Sequence, residues 1–470
     1  MTRRSGLVAI DALLLALAVL SLVVAETGGG AVRIAGVRVS VQTWWRPVVG
    51  TLILMVIRVW AYRTTPPFGT PWSRIIDRGR PSPLPVPAAR EQLLALMALA
   101  AVSVVYWPQF AHLDRVPDLG DPLFSMWRLA WVDHQILANP LRLFHANIFF
   151  PTAAALTLSD SMILPGLTAI PLLRSGIPLS VAYNILLMSG FVLSALAAFV
   201  LARALGFGVI ASWVAGLYFG LCPFRLDHYS HLELQMTQWM PLALLSAHRV
   251  MATGRWRYVV WLGVVLAAQW YSSMYFGMFL TLYVAVFALA LAVAWRCWRP
   301  LTMVALGTVA GVVLALPLAH AYGASEHDRG LRSSRDVTEF SAVPLDYLQT
   351  TPHSALYGEV QIAGPRLPER VLFPGAAPIA LAAVSLAPPL NATRAAFLLA
   401  GVAAFDGSLG LNGHWYPWAY QWVGPFQSIR APARFAMLVS LSSRCLRRRA
   451  STGWPVSRVP RVCRGSWRSS

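Results

Sequence analysis

Long apolar stretches, separated by short polar segments, constrain the fold of this chain more than any other feature of its sequence. A helix needs about 20 mainly apolar residues to cross the hydrocarbon core of a bilayer. Charged residues make up only 12% of the chain, about half the usual share of a soluble domain, so an ordinary water-soluble fold is excluded. We expect an all-α polytopic membrane protein with eleven complete spans, at residues 6–25, 46–62, 91–110, 178–202, 208–224, 236–250, 256–271, 274–295, 301–320, 373–390 and 395–410.

The distribution of arginine predicts which side of the membrane each connection occupies. All 38 basic residues are arginine. With the N-terminus inside, the inner segments hold 14 arginines and one acid, whereas the outer segments hold 15 arginines and 15 acids. Because arginine is enriched in cytoplasmic loops, we expect a bacterial inner-membrane protein with a cytoplasmic N-terminus. The formal net charge of +19 then reflects topology, and nucleic acid is not an expected partner.

The stretch at residues 153–173 is also apolar, but Asp160, Pro165 and Pro171 interrupt it. If this stretch were a further span, four of the inner arginines would move outside and the charge asymmetry would be lost. We therefore expect juxtamembrane helices in the outer interface. Large outer loops then lie at residues 111–177 and 320–372.

The chain divides into four regions on this interpretation. Residues 1–62 predict a two-helix membrane hairpin, and the alternation of Val and Ile between its helices favours a short β-hairpin at the outer surface. Residues 63–90 are rich in Pro, Arg and Ser and predict a basic linker at the anionic inner leaflet. Residues 91–441 form the main membrane domain, and residues 442–470 form an Arg/Ser-rich tail.

The tail has no acid and no apolar periodicity, and it follows a twelfth apolar stretch that begins at Phe435 and is too short to cross. One interpretation is a basic arm that binds anionic lipid or nucleic acid. The other, which we favour, is a frameshifted or truncated reading frame whose intact form continues with further spans. On that view the tail is disordered, and an inactive truncated product is one expectation.

The placement of the acids favours an enzyme over an ion-coupled transporter. Fifteen of the 19 acids lie in predicted outer loops, and only Asp11 and Asp406 lie inside predicted spans, with Glu91 at the first position of another. A coupled transporter tends to place ionisable groups at membrane depth, near its substrate. Acids at the outer interface instead suit an enzyme that acts on a lipid-linked substrate at the membrane surface.

Three aspartates follow the third predicted span. Asp114, Asp118 and Asp121 lie within eight residues and lead into a Trp-rich amphipathic helix that includes Trp127 and Arg128. A carboxylate where a helix leaves the bilayer can act as a general base on an acceptor hydroxyl, or can help to hold a divalent cation. The alternative is structural, because Asp121 followed by proline also fits a helix N-cap. One residue can serve both purposes.

A second polar cluster lies between the fifth and sixth predicted spans. If this segment is helical, Asp227, His231, Gln235 and Gln238 share one face, with His228 beside it. Two histidines three residues apart and a carboxylate could bind a metal ion. The alternative is an interfacial loop whose polar side chains bind water and lipid headgroups.

A later segment combines aromatic residues with two arginines. Residues 415–422 hold three tryptophans and two tyrosines, which suit either a sugar platform or a headgroup belt. Arg430 and Arg434, four residues apart at the outer mouth of a span, could clamp a phosphate. Their alternative role is snorkelling at the interface. The triplet at residues 326–328, Glu-His-Asp, is a further candidate.

At these residues the chain resembles the membrane-embedded GT-C glycosyltransferases over about residues 91–441. The resemblance rests on an aspartate-bearing first outer loop, a juxtamembrane helix, and an acidic, histidine-containing second outer loop. The stretches GDPLFSMWRLAW, NIFFP, CPFRLDHYSHLELQMTQWMPLALL and SIRAPARF are similar to uncharacterised bacterial multi-spanning proteins usually grouped with those enzymes. The resemblance implies a GT-C-like helical bundle, with Asp121 in the position of the base and Asp227 or His228 in that of an assisting or metal-binding residue. The chain departs from the family pattern in having no Asp-x-Asp or adjacent Asp-Glu pair in the first loop.

The resemblance implies a reaction in which a sugar passes from a polyprenyl-phosphate donor to a cell-envelope acceptor on the outer face, with inversion. Asp121 is then the catalytic base, supported by Asp118. The expected substrate-binding residues are Trp127, Arg128, Gln235, Arg430 and Arg434. The expected metal-binding residues are Asp227, His228 and His231. The expected cofactor is none or a divalent metal, and membrane lipids are further partners. The alternative function is a non-catalytic transporter or flippase for lipid or polysaccharide.

Overall fold

The computed structural model describes residues 89–105, 108–152, 154–329, 332–352, 367–376 and 390–445, with short stretches at 30–34, 37–41 and 76–77 and a few single positions. Helices account for most of this part of the chain, so the predicted helical class is confirmed. The chain forms two compact units, one of residues 1–77 with 388–391 and one of residues 78–387 with 392–470.

The described residues of the smaller unit form four strands. β1 (Gly30–Ile34) pairs antiparallel with β2 (Val37–Val41), in the segment where Val and Ile alternate. β3 (Ile76–Asp77) pairs in parallel with β4 (Leu390–Asn391), which joins residues 388–391 to this unit rather than to the predicted main domain. The two predicted hairpin helices and most of the predicted linker lie outside the described residues.

The larger unit is built from helices joined by turns and single 3₁₀ turns. In chain order they are α1 (Ala89–Val105), α2 (Asp121–Ala138), α3 (Ile163–Arg174), α4 (Leu179–Ala204), α5 (Val209–Gly220), α6 (Pro223–Asp227), α7 (Leu232–Gln235), α8 (Trp239–Thr253), α9 (Trp256–Ser272), α10 (Met274–Trp295), α11 (Arg299–Leu314), α12 (Leu316–Arg329), α13 (Ser334–Glu339), α14 (Ala392–Ser408), α15 (Trp415–Trp422), α16 (Gly424–Gln427) and α17 (Ala436–Cys445).

Within the described residues, three helical segments are long and apolar enough to cross a membrane: Leu179–Ala204, Val209–Asp227 and Met274–Trp295. A fourth is the pair Arg299–Leu314 and Leu316–Ser325, bent by 52° at a short break. All four coincide with predicted spans. Helices that could cross a membrane are therefore present, although eleven spans are not found in this part of the chain.

The shortfall has a simple geometric reason. Four further predicted spans coincide with helices of only 15 to 17 residues, which are α1, α8, α9 and α14. At about 1.5 Å per residue such helices are about 22–26 Å long, below the roughly 30 Å of a hydrocarbon core. The remaining three predicted spans lie wholly or mostly outside the described residues. The predicted juxtamembrane stretch contains α3, whose 12 residues are also too few to cross.

Small residues allow the long helices to approach closely. A side chain at Gly216 of α5 would lie 2.6 Å from the carbonyl oxygen of Ala195 in α4. Gly307 of α11 similarly faces the carbonyl oxygen of Val259 in α9, where an added Cβ would lie 2.8 Å away. Such contacts are typical of helices that pack within a bilayer, because apolar side chains gain little by leaving lipid.

The predicted twelfth stretch forms a short helix inside the bundle. α17 follows a 3₁₀ turn at Pro432–Phe435 and packs against α14, and Met437, Leu438 and Leu441 are fully buried. Ser442 hydrogen-bonds to Tyr283 of α10 at 2.6 Å. The predicted tail from residue 446 onward lies outside the described residues.

Candidate functional site

Asp121 is the first residue of α2, but its side chain does not cap that helix. The N-cap is Gly120, and no side chain accepts a capping hydrogen bond there. Asp118 instead accepts from the backbone N–H of Gly120 at 2.8 Å, which fixes the turn before the helix. The prediction that Asp121 is the N-cap is therefore wrong, and Asp118 has a local turn contact. The Asp121 carboxylate remains available for another partner.

That partner is His231, from the segment between α6 and α7. Nε2 of His231 lies 3.0 Å from Oδ2 of Asp121, and the Asp121 side chain is 50% exposed. The hydrogen bond from His231 lowers the pKa of Asp121. Burial opposes protonation of His231, but its hydrogen bond to Asp121 and the charge of Glu233 outweigh burial and raise its pKa. The pair is therefore an accessible carboxylate beside an imidazole that is easily protonated.

Arg128 lies two turns further along α2 than Asp121 and is almost fully buried. Its Nη2 donates to Oε2 of Glu233 at 3.0 Å and to Oγ of Ser125 at 2.9 Å. Its Nη1 donates to the backbone oxygen of Asp160 at 2.7 Å. Burial alone would raise the pKa of Glu233, but the charges of Arg128 and His231 outweigh it and hold that pKa low. Arg128 thus joins three separate segments of the chain.

A second buried group lies beside the first. Arg434, in the 3₁₀ turn before α17, donates from Nη2 to Oε1 of Glu369 at 2.5 Å and from Nε to Oε2 at 3.1 Å. Nε2 of His228 lies 3.3 Å from the same carboxylate, and the rings of His228 and His231 are 5.8 Å apart. Burial raises the pKa of Glu369, but Arg434 and His228 bring it well below its ordinary value.

Asp160 is a further buried carboxylate beside these groups. It is 4% exposed, and its carboxylate accepts from Oγ of Ser273 at 2.8 Å and from the backbone N–H of Met274 at 2.7 Å. Burial, with the nearby charge of Glu233, raises the pKa of Asp160 to about 6. This carboxylate therefore caps the start of α10 from a distant part of the sequence.

We call these residues the polar cluster: Asp121, Arg128, Asp160, His228, His231, Glu233, Glu369 and Arg434. The guanidinium of Arg434 favours the ionised forms of Asp121, Asp160 and Glu233, so the contacts form one electrostatic unit. Asp121 and Arg128 lie in α2, and Asp160 lies between α2 and α3. His228, His231 and Glu233 lie between the end of α6 and the end of α7, Glu369 lies between α13 and α14, and Arg434 lies just before α17. Asp160 also bonds to Ser273, in the turn between α9 and α10.

The second predicted polar segment is not one helix. α6 ends at Asp227 and α7 begins at Leu232, and the N–H of His231 turns back to the carbonyl of His228 at 3.1 Å. The face predicted to be shared by Asp227 and His231 is therefore broken. Asp227 accepts a hydrogen bond from Oγ1 of Thr351 at 2.6 Å.

The structure does not support the predicted metal site. His228 and His231 contact different carboxylates, Glu369 and Asp121, and Asp227 faces Thr351. In the described part of the chain no group of three or more His, Cys, Asp or Glu side chains is arranged to hold a metal ion. The turn at residues 228–231 is the physical reason, because it points the two imidazoles at separate partners.

The other predicted substrate-binding residues divide into buried and accessible ones. Gln235 is fully buried and bonds to Arg225 and to the backbone of His228, so it does not face a substrate. Trp127 is partly buried, stacks on Phe124 and Trp131, and donates from Nε1 to Asn147 at 3.1 Å.

The predicted pair of phosphate-binding arginines is also split. Arg434 is buried against Glu369, which accepts hydrogen bonds from both its Nε and its Nη2. Arg430 is exposed, and its guanidinium lies 4.6 Å from the ring centre of Phe340. Its backbone N–H donates to the hydroxyl of Tyr275, whose ring lies 5.1 Å from the guanidinium of Arg434. Arg430 is therefore the accessible cation on this side of the cluster. The side chains of the triplet at 326–328 lie outside the described residues.

Three acidic members of the cluster were not among the predicted site residues. Glu233 lies inside the second predicted polar segment, but its spacing from the histidines gives no signal of its own. In the sequence, Asp160 stands out only as a charged residue that interrupts an apolar stretch. Glu369 lies 65 residues before Arg434 in the sequence, and only tertiary packing brings them together. A systematic search for acids that follow or precede spans would have included all three.

An apolar cavity of about 200 Å³ lies between α10 and α14. Phe435, which lines it, directly follows Arg434 of the polar cluster, and its ring stacks on Phe279 at 3.7 Å. An apolar cavity thus lies next to the polar cluster. The lining residues are Leu282, Tyr283, Val286, Ala400, Ala403, Ala404, Trp415 and Phe435.

Comparison with known proteins finds no matching family model, no matching curated protein and no matching solved structure.

Proposed function

We propose that this chain is a membrane glycosyltransferase of the GT-C kind, which moves a sugar from a polyprenyl-phosphate donor to a cell-envelope acceptor at the outer face of the bacterial inner membrane. The observation that carries the proposal is the polar cluster, in which connections predicted to share one side of the membrane meet around one accessible carboxylate. The resemblance of the loop motifs to GT-C enzymes supplies the reaction class.

The topology argument supports this assignment independently of the motifs. The charge asymmetry predicts that the connections holding Asp121, His231, Glu369 and Arg434 are all outer. Their side chains form a series of contacts, from Asp121 to His231, from His231 through the ring of His228 to Glu369, and from Glu369 to Arg434. Arginines predicted to be inner, such as Arg203 and Arg296, instead lie at the opposite ends of α4 and α10.

In the proposed reaction, Asp121 accepts the proton of the acceptor hydroxyl while that oxygen attacks the anomeric carbon of the donor sugar. The bond between that carbon and the phosphate oxygen breaks, and the electron pair leaves with the polyprenyl phosphate. The attack comes from the face opposite the leaving group, so the anomeric configuration inverts. Asp121 suits this role because it is ionised, half exposed and fixed by His231.

The departing phosphate needs a nearby cation. Since Arg434 is bonded to Glu369, we assign this contact to Arg430 rather than to the predicted arginine pair. Arg128 holds Glu233 in place, and Arg434 holds Glu369 in place. A metal ion is not part of the proposed mechanism.

The apolar cavity beside Arg434 favours a substrate with a hydrocarbon chain. Aliphatic and aromatic side chains line it, and it lies between two helices that coincide with predicted spans. The first isoprene units of a polyprenyl chain can occupy such a space while the phosphate lies at the polar cluster. A water-soluble sugar nucleotide has no hydrocarbon chain that could fill this cavity.

The test uses membranes from cells that produce the full chain and from matched cells that lack it. Each preparation receives polyprenyl-phosphate hexoses and pentoses labelled with ¹⁴C in the sugar. We expect chain-dependent transfer of label to a covalently linked acceptor, with equal release of polyprenyl phosphate. Label that crosses the membrane while still attached to polyprenyl phosphate would establish the transporter alternative. Absence of chain-dependent transfer from every donor would overturn the proposed function.

A further inference from the structure

Arg225, in α6, is fully buried but is not a member of the polar cluster. Its Nε donates to Oε1 of Gln235 at 2.8 Å, and its Nη2 donates to the backbone oxygen of the same residue at 2.7 Å. The guanidinium lies 4.4 Å from the ring centre of Phe191 in α4. One arginine thus grips one glutamine at two points.

Gln235 passes this constraint to the histidine segment. Its Nε2 donates to the backbone oxygen of His228 at 2.5 Å, and the N–H of His231 donates to the same oxygen at 3.1 Å. The bond between Gln235 and His228 therefore closes residues 228–235 into a loop, and Arg225 holds the Gln235 end of that loop. His231 and Glu233, which contact Asp121 and Arg128, lie within that loop.

The helix behind the loop prevents it from moving back. A Cβ at Gly190 of α4 would lie 2.8 Å from the carbonyl oxygen of Gln235, so the two backbones already touch. Ser194, one turn further along α4, lies 2.9 Å from the hydroxyl of Thr237. The hydrogen bonds from Arg225 on one side and the close contact with α4 on the other therefore restrict the movement of the loop.

A buried guanidinium that bonds to an amide and a carbonyl rather than to a carboxylate costs free energy, because its charge is poorly compensated. An apolar side chain would fill the same space at lower cost. What arginine adds is a planar fork that can hold two oxygen atoms at fixed positions, which lysine cannot do.

We propose that Arg225 is a positioning residue that clamps Gln235 and thereby holds His231 at hydrogen-bonding distance from Asp121. It touches no reacting atom. Its role in sugar transfer rests on the proposed function, whereas the clamp itself is measurable without any substrate. The proposal predicts that loss of the fork releases His231 from Asp121 while the rest of the bundle keeps its fold.

The test is modification of histidines by diethyl pyrocarbonate, which reacts with neutral imidazole, followed by peptide mass spectrometry. The full chain in detergent micelles is treated across a pH series, and His134, which is exposed on α2, is the internal reference. The variants are Arg225→Lys, which keeps the charge, and Arg225→Gln, which removes it. Arg203→Lys, at the far end of α4, is the matched control.

In the native chain we expect His231 to react more slowly than His134 near pH 6.5. In both Arg225 variants we expect the reaction of His231 to be about threefold faster or more, while His134 and the Arg203→Lys control are unchanged. If Arg225→Lys does not fold, Arg225→Gln alone decides. Native-like reactivity of His231 in Arg225→Gln, or in a folded Arg225→Lys, would overturn the clamp, whatever the outcome of the sugar-transfer assay.

Discussion

Asp121 and His231 shift each other's proton affinity in opposite directions, which makes their contribution to stability depend on pH. The pKa of His231 is raised, so its contribution is fully present below about pH 6.5, the ordinary value, and is lost as the pH rises through its value in the fold. The pKa of Asp121 is lowered, so its contribution is present above about pH 4 and is lost in stronger acid. The pair therefore stabilises the fold most between these limits.

We predict that His231→Gln lowers the melting temperature more at pH 5.5 than at pH 8.5. Thermal unfolding in detergent at the two pH values measures the difference. His134→Gln, which removes an exposed histidine from α2, is the control and is expected to have a similar small effect at both. An equal loss for His231→Gln at both pH values would show that the pair does not carry the charge assigned to it.

The buried pair of Arg434 and Glu369 leads to a larger prediction. Removing one partner of a buried ion pair leaves the other charge uncompensated, so we expect Arg434→Met to cost about 3–5 kcal/mol of unfolding free energy. Arg174→Met removes the exposed end of the ion pair with Asp133 and is expected to cost about 0–1 kcal/mol. Denaturant titration in mixed micelles compares the two. Equal costs would contradict the buried position of Arg434.

At the same scale, the sequence indicated some cluster members but not their pairing. Asp121, Arg128, His228, His231 and Arg434 were predicted as site residues because polar groups at the ends of apolar stretches stand out. Their partners did not, since a carboxylate 65 or 105 residues away in the chain leaves no local pattern. The described residues hold no grouped set of metal ligands either, since spacing alone cannot show which way two imidazoles face.

Among the elements, apolar length predicted the positions of α4, α5, α10 and α11 well, since a long apolar run has few alternatives to a helix. It predicted the polar connections less well. The shared face of Asp227, His231, Gln235 and Gln238 requires one continuous helix, whereas a turn separates α6 from α7. The clamp of Arg225 on Gln235 stabilises that turn, and a helical period cannot reveal a tertiary contact of this kind.

Close packing of α4 on α5 provides a prediction for these elements. In Gly216→Ala the new Cβ would lie 2.6 Å from a backbone carbonyl, which cannot move aside as a side chain can. We expect a cost of about 1–3 kcal/mol, measured by thermal unfolding in detergent.

The matched control for Gly216→Ala is Gly323→Ala, within α12. Apart from the neighbouring backbone of its own helix, no atom lies within 4 Å of the position of its added Cβ, so we expect no loss and a gain of about 0.5–1 kcal/mol from helix propensity. If Gly216→Ala were as stable as Gly323→Ala, the two helices would not be in contact at this point.

For the whole molecule, the arginine distribution and the polar cluster lead to the same arrangement by separate routes. Charge asymmetry along the sequence assigns the acid-bearing connections to one side. In the structure the side chains of those connections pack together at common ends of the helices. The sequence could indicate which connections share a side because membrane charge rules act on each loop alone. It could not indicate their arrangement within that side, which depends on how the helices pack.

The most direct measurement of the central claim is the rate of sugar transfer by Asp121→Asn. This variant keeps the size of the side chain and removes its ability to accept a proton, so we predict a loss of about a hundredfold or more. Asp133→Asn, the same substitution on the same helix but at an ion pair outside the cluster, is predicted to transfer sugar at the native rate. Full retention of transfer by Asp121→Asn, with a folded protein, would contradict the assignment of the polar cluster as the catalytic site.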